Sequence, residues 1–271
     1  MASVSQRSLS AARFALAVTT IACIGALTIY VRYGASARRP HVEFIRRDQL
    51  AVLSLDNGRT RVLYTSSLLG RGAVGYHELG PLLVFANDEV QAGSGFNMHA
   101  HENVDVLTVV LQGSLDQEDT AGHRARVNVG EAALMSAGTG VKHAEFANRD
   151  EITRSVTIWF RPRTMGKTPS HTTAKPVEKG GWELIAAEHD APLTLEQDAR
   201  VSMKRLAAQE KLPLVVQPAR LLYVAAVDGE LVAGDQRLSV PERIILRSGT
   251  MSIRSDTGAT IVIVDVPSPE R

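Results

Sequence analysis

Two closely spaced pairs of side chains could together hold a metal ion. His99 and His101 are separated by one residue, and so are His143 and Glu145. Successive side chains on a β-strand point to opposite faces, so each pair would project to one side of its strand. If both strands line one interior, three imidazoles and a carboxylate form a cage that suits iron, copper, nickel, manganese or zinc. The spacing predicts a mononuclear site that leaves positions open for water, substrate or dioxygen.

The residues around these pairs are predicted to have supporting roles. Asp105 would share the face of His99 and His101 on a regular strand, and we expect it to orient a ligand histidine. Glu102 would point to the opposite face and be solvated. Five further histidines have no partner at this spacing and are expected to be surface or locally hydrogen-bonded: His41, His77, His123, His171 and His189. Since no histidine follows residue 189, the sequence predicts a metal only in the first half.

The elements that must position these side chains are predicted to be short strands. Apolar runs such as residues 104–111 alternate with glycine-containing turns up to residue 160, a pattern typical of a β-sandwich or barrel. Similar segments resume after residue 180, where Asp228-Gly229 predicts a hairpin turn. An all-β chain with two barrel-like halves is therefore expected, and no alternation of strands and helices is visible.

The chain of 271 residues suits two domains and a tail. Residues 161–180 contain several prolines and basic residues and no large apolar run, which predicts an exposed linker. We therefore expect a hydrophobic N-terminal segment at 1–40, a metal-binding barrel at 41–160, the linker at 161–180 and a second, metal-free barrel at 181–271.

The N-terminal segment has its own character. Residues 14–31 carry no charge and would form a helix about 27 Å long, near the lower length that crosses a bilayer. The sequence predicts a single membrane anchor there. The alternative is a secretory signal or organellar presequence, because Ala35-Ser36-Ala37 could serve as a cleavage site near Ala37.

Composition restricts the partners. The formal net charge is +1 and residues 41–160 show no dense basic run, so no nucleic-acid partner is expected. The chain has one cysteine, Cys23, which excludes a disulfide within the chain and a cysteine-rich zinc site. We expect a monomer that binds a small molecule.

The stretch from Gly80 to Phe146, which contains GSGFNMHAHENVDV and GTGVKHAEF, resembles the core of the pirin family of the cupin superfamily. The resemblance extends more loosely over residues 41–266. It implies two cupin jelly-roll barrels and one metal, held by His99, His101, His143 and Glu145. Fe(II) is the predicted ion, with Cu, Ni, Mn, Co or Zn as alternatives. Asp105 stands where the family usually has glutamate, a position that is not a ligand there.

The same resemblance implies a reaction. Several pirin-like proteins are similar to quercetin 2,3-dioxygenases, so the chain is predicted to be a metal-dependent dioxygenase that combines a flavonol, or a related enolic aromatic compound, with dioxygen. Glu145 would be the catalytic residue that accepts the substrate's hydroxyl proton. The alternatives are a metal-binding, redox-sensing regulatory bicupin and a metal-stabilised barrel that binds a small molecule without turnover. Residues 63–75 depart from the family pattern at the pocket mouth, which leaves the substrate open.

Overall fold

The computed structural model describes residues 40–55, 60–64 and 79–269. The predicted N-terminal anchor at 14–31 and the possible cleavage site near Ala37 lie outside the described residues, and so does His77. Within the described part of the chain, no helix is long and apolar enough to cross a membrane.

The described residues form strands and one short 3-10 helix at Arg47–Gln49, which confirms the predicted all-β class. Strands β1 to β11 are His41–Ile45, Ala51–Leu55, Thr60–Tyr64, Leu82–Val90, Gly95–His101, Asp105–Gln112, Ser114–Asp119, Arg124–Asn128, Ala132–Ser136, Val141–Ala147 and Thr153–Phe160. Strands β12 to β22 are Ser170–Ala174, Val177–Lys179, Trp182–Ala187, Leu193–Thr194, Arg200–Leu206, Lys211–Val215, Arg220–Ala233, Gln236–Ser239, Arg243–Ser248, Thr250–Arg254 and Ala259–Pro267.

Two sheets build the first half. One has four strands in the order β5-β10-β7-β8, and the other has seven in the order β12-β9-β6-β11-β4-β3-β2. The continuous apolar run of β6 is explained by burial of both its faces. Leu107 and Val109 point into a core shared with the second half, whereas Val106 belongs to a separate cluster on the other face.

The second half is dominated by one large sheet with the main path β1-β20-β18-β22-β16-β14-β13. Its strands also bury both faces, as β18 illustrates. Tyr223 and Ala225 join the shared core, while Leu222 and Val224 face a second core inside this half. The two halves are therefore in apolar contact through every second residue of central strands such as β6 and β18.

The structure differs from the predicted boundaries at both ends of the first barrel. β1, expected in that barrel, pairs with β20 of the large sheet, where Phe44 packs against the second core. The predicted linker at 161–180 contains two strands, because β12 pairs with β9 and β13 pairs with β14. Polar Ser and Thr residues gave this segment a loop-like composition, yet both strands lie at sheet edges, where backbone pairing with one neighbour holds them without buried side chains.

The hairpin predicted at Asp228-Gly229 is wrong. Strand β18 runs through this dipeptide for 14 residues, with a register shift between Ala226 and Asp228. Gly229 has φ +73°, and a Cβ at this position would lie 2.4 Å from the carbonyl oxygen of Gly258. The dipeptide therefore serves a bulge that bends the strand. The turn itself comes after Ala233, which pairs with Gln236.

Candidate metal centre

Pairing between β5 and β10 brings the two ligand pairs together. His143 lies opposite His99, and Val141 lies opposite His101. A register shift then follows between His143 and Glu145, which places Glu145 opposite Phe96. The two pairs are thus neighbours across one antiparallel ladder, inside the first barrel.

The three imidazoles converge. The possible ligand nitrogens of His99, His101 and His143 all lie within 4.8 Å of one another, with His101 and His143 buried and His99 half-buried. The Nε2 atoms of His99 and His143 are 3.0 Å apart. Two nitrogens bound at right angles to one ion, each about 2.1 Å from it, are also about 3.0 Å apart. The spacing of the histidines therefore fits a shared first-row metal ion.

A hydrogen bond orients one of these rings, and burial keeps the other two neutral. Nδ1 of His99 lies 2.8 Å from the carbonyl oxygen of Asn97, an acceptor, so Nδ1 carries the proton and Nε2 presents its lone pair to the site. Burial, reinforced by the neighbouring imidazoles, lowers the pKa of both His101 and His143 to about 3. These two rings are therefore neutral at physiological pH, as metal coordination requires.

An aromatic contact fixes the second of these rings. His101 packs edge-on against Trp159, with ring centroids 4.8 Å apart. Trp159 belongs to β11, in the sheet opposite β5, so the ring of His101 is held from the other side of the barrel.

Glu145 is buried beside the three histidines but lies outside the group whose ligand atoms converge within 4.8 Å. Its Oε1 accepts a hydrogen bond of 2.5 Å from Nε2 of Gln117. Burial raises the pKa of Glu145, while the Gln117 hydrogen bond and His99 oppose that effect. A carboxylate in this environment is a stronger base than one in water.

A second interaction fixes the Gln117 amide. Nε2 of His171 lies 2.9 Å from Oε1 of Gln117, and the rings of His171 and His123 stack with centroids 6.1 Å apart. His123 in turn contacts the carboxylate of Asp119 at 2.8 Å. His171 was predicted to be a surface or locally bonded residue, whereas its partner is 54 positions away in sequence.

Sequence reasoning missed Gln117 and His171 because nothing in their local spacing connects them to Glu145. Of the remaining histidines, His41 lies near Glu43 and His189 near Glu188, which agrees with the local roles expected of them.

Asp105 does not hold a ligand histidine, contrary to our expectation. Its Oδ1 accepts a hydrogen bond of 2.6 Å from Ser136, and its Oδ2 is buried without a hydrogen-bond partner among the described residues. Asp105 pairs with Ser136 on β9 and with Phe160 on β11. The reason is that Asp105 begins the next strand, in the other sheet, and does not continue β5. Glu102 is exposed, as predicted.

A different carboxyl group, Asp88 on β4, lies near the site. Its Oδ2 accepts a hydrogen bond of 2.5 Å from the hydroxyl of Thr157. Burial raises the pKa of Asp88 to about 7, and the charge of Glu145 adds to the increase. The interior of this barrel therefore holds two carboxyl groups with raised pKa values.

Family models match both halves of the chain. The model described as Pirin matches residues 73–160, and the model described as Quercetinase C-terminal cupin domain matches residues 184–266. The first match contains all four predicted ligands.

Curated relatives match about two thirds of the chain. A pirin-like protein of Caulobacter vibrioides is 30% identical over 195 residues, which is 69% of this chain and 83% of the relative. The quercetin 2,3-dioxygenase of Escherichia coli strain K12 is 27% identical over 190 residues, 69% of this chain and 82% of that enzyme.

Solved structures share the fold. YhhW from Escherichia coli superposes with a TM-score of 0.76 at 23% identity and covers 85% of this chain and 99% of its own. The structure described as bacterial pirin YhhW in complex with nickel(II) gives a TM-score of 0.74 at 23% identity, covering 84% and 99% of the two chains.

Proposed function

This chain belongs to the pirin family of bicupins, and from that premise we propose that it is a metal-dependent dioxygenase that cleaves a flavonol of the quercetin type or a related enolic aromatic compound. One observation carries the proposal: three imidazoles converge beside a buried carboxylate of raised pKa. The quercetin 2,3-dioxygenase of Escherichia coli, which is 27% identical, supports the choice of substrate class.

We assign His99, His101, His143 and Glu145 as the residues that would hold one divalent ion, with Fe(II) as the proposed metal. Nitrogen and carboxylate donors together suit iron, copper, nickel, manganese, cobalt and zinc, so the donor set alone does not choose among them. When bound, such an ion lowers the pKa of a coordinated hydroxyl group and supports reaction with dioxygen.

The chain's own residues supply the proton chemistry. Glu145 accepts the proton of the substrate's enolic hydroxyl, and its burial favours the protonated product of that step. Gln117 holds Oε1 of Glu145 in place, and His171 holds Gln117. Both oxygen atoms of dioxygen enter the substrate and carbon monoxide leaves, so Glu145 must return its proton before the next cycle.

Apolar residues on the His101 side of the site shield it from bulk water. Val104, Val106, Met135 and Val141 form a buried cluster with Trp159 packed against it. Apolar surroundings of this kind protect reactive intermediates from side reactions with solvent.

The test is dioxygen consumption by the full-length chain reconstituted with each candidate metal, measured against a panel of flavonols. We expect uptake with 3-hydroxyflavones and none with flavones that lack the 3-hydroxyl, because those offer no enolic proton to Glu145. His101→Ala is the matched control, since it removes an imidazole from the group of three. Uptake no faster than with His101→Ala for every metal would contradict the proposal.

A further inference from the structure

The second half of the chain contains a cavity of about 300 Å³, separate from the three histidines. It opens to the surface beside the second core, lined on one side by β13, β14, β16, β18 and β22 and on the other by β17. A volume of this order is at the lower end of the range for small-molecule sites in proteins.

The inner part of the cavity wall is apolar, while Lys179, Arg200, Ser202 and Asp265 are the polar residues of the lining. Leu184, Leu214, Leu222 and Ile263 contribute buried side chains, and Trp182 is half-buried at the edge. The ammonium group of Lys204 lies 6.0 Å from the centroid of the Trp182 ring. These walls favour a ligand with a flat or aliphatic body over a fully polar one.

Two cationic side chains, Lys179 and Arg200, also line the cavity, and both are exposed. Arg200 differs from the other arginines after residue 180 that the structure describes. One of these is fully buried, at position 243, and the rest form ion pairs with carboxylates: Arg205, Arg220, Arg237, Arg247 and Arg254. In this part of the described chain, Arg200 alone is exposed with no carboxylate within ion-pair distance.

Asp265 is the acidic residue of the lining, and another side chain already neutralises it. Arg220 donates a hydrogen bond of 2.6 Å from Nε to Oδ1 of Asp265 and pairs through Nη1 with Asp198. The guanidinium group of Arg200 is therefore a cation at the rim of the cavity with no carboxylate of the chain paired to it. It lies beside the apolar wall and the indole ring of Trp182.

We propose that this cavity binds a small aromatic monocarboxylate. The ring of the ligand packs against Trp182 and the apolar wall, and its carboxylate accepts hydrogen bonds from the guanidinium of Arg200, a geometry that arginine and carboxylate groups match in pairs. Lys179 adds a second positive charge at the same rim. This binding site requires neither the metal nor the reaction proposed for the first half.

The experiment is calorimetric titration of the full-length chain with 3-phenylpropionate, alongside its uncharged analogue 3-phenylpropanamide. We expect one saturable site per chain for the acid, and at least tenfold weaker binding of the amide. Arg200→Gln should weaken binding of the acid at least tenfold. Arg205→Gln, an exposed arginine of the same strand that does not line the cavity, should leave it unchanged.

Fluorescence locates the ligand, because the chain has two tryptophans and only Trp182 lines the cavity. In the Trp159→Phe variant we expect the acid to change the emission of Trp182 with the same dissociation constant that calorimetry gives. Equal affinity in Arg200→Gln, equal binding of the amide, or an unresponsive Trp182 would each overturn the proposal. Loss of binding in His101→Ala would also overturn it, because the acid would then occupy the first barrel.

Discussion

At the scale of single residues, the rules of hydrogen-bond donors and acceptors fix the orientation of the side chains around Glu145. The amide nitrogen of Gln117 faces Glu145 and donates to its Oε1, since an amide nitrogen donates and a carboxylate oxygen accepts. The amide oxygen then faces His171 and requires a donor, which makes Nε2–H the tautomer of that imidazole. Burial lowers the pKa of His171, so this ring is neutral at physiological pH.

Replacing Glu145 with glutamine separates metal binding from proton transfer. The amide keeps the shape and an oxygen donor but cannot take up a proton near neutral pH. We expect Glu145→Gln to keep part of its metal and to lose flavonol turnover by about 100-fold or more, within the usual range for a general base. Metal content by elemental analysis and dioxygen uptake are measured on the same preparation. Unchanged turnover would show that Glu145 acts only as a ligand.

Replacing His171 tests the positioning of Glu145 through Gln117. His171→Phe removes the donor and leaves the amide oxygen of Gln117 without this partner, so we expect a roughly tenfold lower turnover with unchanged metal content, equivalent to about 1.4 kcal/mol. His171→Asn, which can donate again, should restore part of the activity. His189→Phe is the control, because His189 is exposed and its charged neighbour is Glu188. Equal turnover in all three variants would remove His171 from the mechanism.

At the scale of elements, the bulge in β18 allows one strand to serve two layers. Residues 220–229 pair with β22 in the large sheet, and residues 230–233 pair with β19. The bend requires a backbone conformation with positive φ at Gly229, next to the carbonyl of Gly258. The second core includes buried residues from both parts of the strand, among them Val224 and Leu231.

Gly229→Ala should therefore destabilise the protein by both strain and collision. The added Cβ would lie 2.4 Å from the carbonyl oxygen of Gly258, which belongs to the backbone and has little room to move. Gly234→Ala is the matched control, because Gly234 also has positive φ but has no atoms within 4 Å of the added Cβ. We expect a loss of about 1 kcal/mol for the control and clearly more for Gly229→Ala, by denaturant unfolding. Equal losses would show that the contact with Gly258 is unimportant.

At the scale of the whole molecule, the two halves share one core but differ in chemistry. Phe85 of the first half packs against Tyr223 of the second at a centroid distance of 5.1 Å, and the guanidinium of Arg243 lies 4.9 Å from the Phe85 ring. The grouping of possible ligands found among the described residues, however, lies in the first half alone. The halves are thus joined physically, while the proposed metal site lies in one of them.

One metal ion per chain is the expected stoichiometry. The full-length protein, loaded and then desalted, should contain about one equivalent by elemental analysis, and His101→Ala should lose most of it. We expect His101→Ala to keep its fold, because the barrel core is apolar and does not depend on the ion as a zinc finger does. Circular dichroism distinguishes loss of metal from loss of structure. A full equivalent of metal in folded His101→Ala would place the site elsewhere.

The N-terminal segment is proposed to decide location and not chemistry. Residues 14–31 are uncharged, so the native full-length chain should sediment with membranes and resist extraction by high salt, which screens charges but does not weaken apolar burial. Release by salt would contradict a spanning anchor. A soluble protein with a new N-terminus near Arg38 would instead identify a cleaved targeting signal and leave the metal site unaffected.

The sequence by itself determined the all-β class and the identity of the three histidines that converge. It could do so because strand periodicity is a local property: two residues separated by one must share a face. The resemblance to pirins extended this local pattern to two barrels, and the family models match both halves.

Only the tertiary structure decided the partners that are distant in sequence. The support of Glu145 by Gln117 and His171, the bond of Asp105 to Ser136, and the pairing of β1 with β20 all join residues from separate strands. Such contacts depend on sheet order and register, which local spacing does not encode. For the same reason, Asp228-Gly229 is compatible with either a turn or a bulge from its sequence alone. It forms a bulge because β18 remains paired with β22 through this dipeptide.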